Sequence, residues 1–157
     1  MFFIEGIISG IVATLIFDIY QYSLSYAYST SKPKWYLIGR YVYGLKNRLY
    51  FREDISNEAE VENEFFIGYT SHYIIGSIFG ITYVCLNIFF SNNPSLIIAI
   101  SFGLITVLGG WCIIMPLVYN FGFFGSKINN QKQVIVQNLL AHFIFGFGLF
   151  IGYSILQ

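Results

Sequence analysis

Four apolar segments, each long enough to cross a lipid bilayer, constrain this chain more than any other feature. They cover roughly residues 2–28, 65–90, 95–119 and 134–156. A helix rising 1.5 Å per residue needs about 20 residues to cross about 30 Å of hydrocarbon. Lipid offers the backbone no hydrogen-bond partners, so a spanning segment must bond to itself as a helix. A β-barrel would show shorter, alternating segments, and these runs do not alternate. Charged residues make up 10% of the chain, against about 25% in an ordinary soluble domain. Mean hydropathy is +0.65. Those values exclude a soluble globular enzyme, and they exclude disorder. The expectation is an all-α integral membrane protein. One domain over residues 1–157 holds four transmembrane helices in a small bundle, with a long loop at 29–64.

The first segment is too long for a signal-peptide core, and Glu5 rather than a basic residue precedes most of it. Ala27-Tyr28-Ser29 is only a loose small-residue cleavage site, so an uncleaved membrane helix is expected. Basic residues then orient the chain. Lys32, Lys34, Arg40, Lys46, Arg48 and Arg52 lie in the first loop, and Lys127 and Lys132 in the third. Four spans place these two loops on one side, which the positive-inside rule makes cytoplasmic. Both termini are expected in the periplasm of a bacterium, with the spans in its inner membrane.

The first loop has a basic, aromatic part at 32–52 and an acidic part at 53–64 with six acids. The basic, aromatic composition suggests an interfacial segment, although its polar residues do not fall on one clean helical face. Acids before the second span suit a helix N-terminus, and Asn57 with Glu60 has capping-box spacing. Charge runs are usually solvated surface. The sharper alternative is a docking surface for another membrane protein. A net charge of zero gives no field that would attract nucleic acid, so the partners expected are the lipid bilayer and either a membrane protein or further copies of the chain.

Ionisable residues at membrane depth are costly and are functional candidates by default. Asp18, His72 and His142 are each expected about 10–15 Å below the cytoplasmic boundary by helical rise. Cys112 falls at a similar depth. Gly6, Gly10, Thr14, Asp18 and Tyr22 recur every four residues, as do Gly68, His72, Gly76 and Gly80, and Asn138, His142 and Gly146. Such rows keep to one side of a helix, and small residues at this spacing let helices approach closely. Gly148 and Gly152 add another pair. The three ionisable residues should therefore face the bundle interior. The segment from His72 to Gly76 also resembles that from His142 to Gly146, a weak internal repeat.

Three chemistries are open to this layer. The side chains can simply form interhelical hydrogen bonds, worth about 1 kcal/mol each. They can relay protons or hold a cation during transport. Or His72 and His142 can ligate haem or a metal, with Asp18 and Cys112 completing a metal set by ligand type. The sequence names no cofactor. Cys85 and Cys112 should sit about 20 Å apart in depth, too far for a disulfide. Met115-Pro116 should kink the third span, with Gly109-Gly110 adding flexibility. Nucleotide-binding, zinc-protease and nucleophile-elbow motifs are missing, so no catalytic set is assigned.

The chain resembles the bacterial inner-membrane family catalogued as domain of unknown function 2938. In the first span and loop the resemblance rests on Glu5-Gly6, Ala13-Thr14, Asp18, Gly39-Arg40 and the run from Phe51 to Ile55. Around the second span it rests on Glu64, Gly68-Tyr69, His72-Tyr73 and Gly76. It continues through Pro94-Ser95-Leu96, Gly103, Thr106-Val107 and Met115-Pro116. It ends with the run from Asn138 to His142, Phe145-Gly146 and Gly148-Leu149. The resemblance implies a four-span protein of this size and supplies no activity. The family pattern usually carries histidines in the first loop, where this chain has Tyr43, Gly44, Arg52 and Glu53. It also tends to show Met-Gln-Pro in the third span, where this chain has Ile114-Met115-Pro116.

Overall fold

A computed structural model describes residues 1–28, 32–91 and 93–157. Ser29 and Asn92, which fall in the possible cleavage site and the second loop, lie outside them. The described residues contain helices and no strand. Helix α1 is Phe2–Ala27, α2 is Trp35–Leu45 and α3 is Glu64–Phe90. Helix α4 spans Leu96–Leu117, and α5 is Gln131–Ser154. All of these but α2 are long and apolar enough to cross a membrane. The chain is therefore a multi-pass, all-α membrane protein with four transmembrane helices. Their bounds fall within a few residues of the apolar runs.

The chain divides into two compact units. The first holds Met1–Pro33, Tyr73–Thr106 and Leu139–Gln157. It contains all of α1, the greater parts of α3 and α5, and the first half of α4. The four helices pack in a ring in which each touches the next in antiparallel fashion. A Cβ added at Gly6 would lie 2.5 Å from Ile81 Cα, and one at Gly10 would strike the Gly76 carbonyl. On the next face of α1, a Cβ on Gly148 would lie 2.7 Å from Ala13 Cα, and one on Gly152 at 2.7 Å from Ser9 Cα. Between α4 and α5, a Cβ on Gly103 would lie 2.7 Å from Gly146 Cα. Backbones thus meet where side chains are missing, the close approach that drives helix association in lipid. The predicted glycine rows are these contact lines.

Hydrogen bonds and rings fill the rest of the unit. Ser9 Oγ donates to the Leu149 carbonyl at 2.8 Å. Asn87 accepts from the Ser95 amide at 2.7 Å, closing the turn between α3 and α4. Phe79 sits edge-on to Phe102 and to Phe145, with centroids 5.9 and 6.1 Å away. Outward-facing Ile4, Ile11, Leu15 and Ile19 are exposed. A helix that is apolar on every side suits lipid, not water.

The second unit holds Lys34–His72 and Val107–Asn138. Helix α2 lies against the start of α3, where a Cβ on Gly39 would lie 2.8 Å from the Gly68 amide nitrogen. The acidic half of the loop is not simply solvated. Arg40, 2% exposed, grips the Glu64 carboxylate through Nε and Nη2, each at 2.8 Å. Its Nη1 donates to the carbonyls of Ile55 at 3.0 Å and Glu58 at 2.7 Å. Arg52 pairs with Glu58 and donates to the Arg40 carbonyl at 2.9 Å. Two ion pairs, Arg40 with Glu64 and Arg52 with Glu58, therefore join the basic and acidic parts of the loop.

One local expectation is corrected here and another is made specific. Asn57 and Glu60 form no capping box, because α3 begins only at Glu64. Asn57 instead donates from Nδ2 to Asp54 at 2.7 Å. The reach-back comes from Glu64, which accepts from the Val61 amide at 3.0 Å. Around Met115-Pro116 the third span is resolved as a π-helical turn at Gly110–Ile114, with the Met115 amide bonded to the Gly110 carbonyl. Proline has no N–H and its ring crowds the carbonyl four residues back. Widening the preceding turn relieves that crowding, as π-bulges do.

Candidate functional site

Asp18 lies nine residues before the end of α1, about 14 Å along the helix at 1.5 Å per residue. It is 6% exposed. The same face of α1 carries Gly6, Gly10 and Thr14, all buried. This row brings the carboxylate to α3, where the Tyr73 hydroxyl donates to it. Thr14 needs no partner helix, since its hydroxyl bonds the Gly10 carbonyl at 2.8 Å. Its Oγ1 instead occupies the place that a Cβ on Gly76 would take. Glycine spacing along α3 therefore brings Tyr73 to Asp18.

His142 enters the same unit from α5. Its Nδ1 lies 2.9 Å from Thr106 Oγ1 on α4. Its ring stands edge-on to Phe17 on α1, with centroids 5.6 Å apart. Gly146, one turn on, packs against the carbonyl of Ala99 and the backbone of Gly103, which draws α4 close enough for the Thr106 contact. The histidine, the carboxylate and their partners thus come from all four spans.

His72 belongs to the second unit. Its ring stacks on Trp35 of α2, with centroids 3.8 Å apart and planes 18° from parallel. Gly68, one turn before, lies under the backbone of Trp35 and Gly39. Of the two similar segments, Gly76 lies against Thr14 and Gly10 of α1, and Gly146 against Ala99 and Ile100 of α4. They differ at their histidines, one stacked on an indole and one held by a hydroxyl. Cys112 lies in the π-helical turn, and both cysteines are free thiols. Among the described residues, no three of His, Cys, Asp and Glu form a group able to hold a metal ion.

Two partners were not singled out from sequence. Tyr73 follows His72 directly, and Thr106 sits inside an unbroken apolar run. The available signal was that each lies on a face with a small residue one turn away, Gly76 and Gly103. Periodicity marks such faces without saying which side chain of a neighbouring helix will meet them.

No curated protein and no solved structure matches the chain. The family model described as Protein of unknown function (DUF2938) matches residues 7–156, nearly the whole length, and the chain belongs to that family.

Proposed function

We propose that this protein handles protons within the membrane, with Asp18 as the principal exchanging group and His142 as the second. One observation carries the reading: a carboxylate buried among spanning helices and hydrogen-bonded by Tyr73. A purely structural bond at that place would be served by a neutral side chain at far lower cost. Asp18 takes up and releases the carried proton, and the Tyr73 hydroxyl beside it orients the carboxyl group. His142 alternates between imidazole and imidazolium. Closely packed glycine faces around the site exclude water and so restrict access to it.

In this reading the spans lie in a bacterial inner membrane, with both termini periplasmic and the loops of 29–64 and 118–130 cytoplasmic. The placing of all eight basic residues in or beside those loops supports it. The experiment is proton flux into proteoliposomes, driven by a potassium diffusion potential and followed with an internal pH dye. Wild type should exceed empty vesicles, and Asp18→Asn should lose at least about tenfold of the excess, as removal of an essential proton carrier would. Trypsin should cut the exposed Lys46 and Arg48 only in inverted vesicles. Flux equal to that of empty vesicles, or unchanged in Asp18→Asn, would remove the proton reading.

A further inference from the structure

We propose that Thr106 sets the protonation chemistry of His142: the neutral ring carries its hydrogen on Nδ1, and the exchangeable proton comes and goes at Nε2. Hydrogen counting leads to this. Thr106 Oγ1 lies 2.6 Å from the Gly103 carbonyl oxygen. A carbonyl has no hydrogen to give, and two oxygens that close repel unless one lies between them. The single hydroxyl hydrogen of Thr106 is therefore spent on Gly103. Toward His142 Nδ1, 2.9 Å away, the hydroxyl has only lone pairs to offer. Nδ1 must be the donor. A neutral imidazole has one N–H, so Nε2 holds the lone pair, and protonation adds the second hydrogen there.

The surroundings keep this assignment local. Thr106 is 7% exposed, so water does not compete freely for its lone pairs. From α1 the ring meets the edge of Phe17. The ionisable groups near this end of the unit are Asp18 and Tyr22 on α1 and Tyr73 on α3, while α4 contributes none from Leu96 to Thr106. Thr106 is thus a positioning residue: it touches no transported proton, and it decides which nitrogen does. The same device, a fixed acceptor on one ring nitrogen, orients histidines in metal sites.

The role of the tautomer in transport rests on the proton-handling reading, but the tautomer can be measured without it. His142 follows Ala141, whereas His72 follows Ser71. Full-length protein labelled with carbonyl-¹³C alanine and ¹⁵N-histidine therefore selects His142 in solid-state NMR spectra in lipid bilayers, with no substitution. At alkaline pH the Nδ1 signal should be of the protonated type and Nε2 of the lone-pair type. On acidification only Nε2 should change character. Thr106→Val should lower the ratio of Nδ1–H to Nε2–H about fivefold, the weight of one ordinary hydrogen bond, and Thr106→Ser should restore it. A lone pair on Nδ1 in the wild type, or a ratio unmoved by Thr106→Val, overturns the inference. If Thr106→Val does not fold, the wild-type spectrum decides alone. An Nδ1–H spectrum in a protein that passes no protons would uphold the tautomer and remove the transport reading.

Discussion

Both units bring helix backbones together at glycines, Gly39 and Gly68 of the second among them, but the second adds a buried ion pair. In the first, contact lines are built from what is missing: no Cβ at Gly10, Gly76, Gly80, Gly148 or Gly152, so backbones touch. In the second, α2 is tied to the start of α3 by a buried guanidinium that serves one carboxylate and two carbonyls. The difference follows from solvent. Among lipid tails a helix gains nothing by hiding apolar side chains, so association rests on close packing and a few hydrogen bonds. In a loop segment the chain has bare carbonyls and opposite charges to satisfy, and a planar five-donor group satisfies several at once. The lesson is that stability should be brittle in the second unit and distributed in the first.

Arg40→Met tests the brittle half and should have the largest effect. It leaves the Glu64 carboxylate and the carbonyls of Ile55 and Glu58 without their donor. Breaking a buried pair on one side costs about 3–5 kcal/mol. Amide exchange should show the loss concentrated over residues 53–64. Arg40→Lys should recover only part, since an ammonium cannot fork across both carboxylate oxygens. A cost below about 1 kcal/mol, typical of surface pairs, would erase the contrast between the units.

Gly10→Val tests the distributed half. The added side chain would strike the Gly76 carbonyl and come within 2.7 Å of Ser77 Cα. Overpacking of this kind costs about 1–3 kcal/mol, read from thermal unfolding in detergent. Gly109→Ala supplies the control, since a Cβ there meets nothing within 4 Å. It should cost nothing, because alanine is the better helix former by about 1 kcal/mol. Equal costs at the two glycines would mean that close approach does not hold the first unit together.

The same contrast explains what was legible in the sequence. Span number, approximate span bounds and the glycine rows were all readable, because length and four-residue spacing are local properties. Pairing was not. That Ser9 meets Leu149, or that Thr106 meets His142, depends on which helices become neighbours. Arg40 misled for a different reason. Taken as outward-facing, a charge inside 32–52 breaks the helical face of that segment. With Arg40 turned inward beside Leu37, Ile38 and Gly44, all buried, α2 has an ordinary amphipathic face. Its partner Glu64 stands 24 residues later, beyond any periodic pattern. Met115-Pro116 announced a disturbed helix, but not that a π-helical turn would absorb it.

Asp54 gives the smallest effect and the finest test, because it separates the units by pH. Its carboxylate accepts from Ser56 Oγ at 2.6 Å, from the Ser56 amide at 3.2 Å and from Asn57 Nδ2 at 2.7 Å. The Ser56 hydroxyl, and after it Asn57 and the backbone amides, holds this carboxyl below the ordinary carboxylate value. A folded value below the unfolded one stabilises the fold above the unfolded value, near 3.9. That contribution disappears as pH falls through the lower, folded value. The group is fully exposed, so the effect is small. Thermal unfolding of the wild type and Asp54→Asn from pH 6 down to pH 2.5 should show a slight wild-type advantage that fades below about pH 4. The glycine contacts of the first unit carry no charge, so the Gly10→Val deficit should hardly vary over the same range. If the Gly10→Val deficit tracked acid as Asp54→Asn does, the two units would share one source of stability and the division between packing and charge would fail.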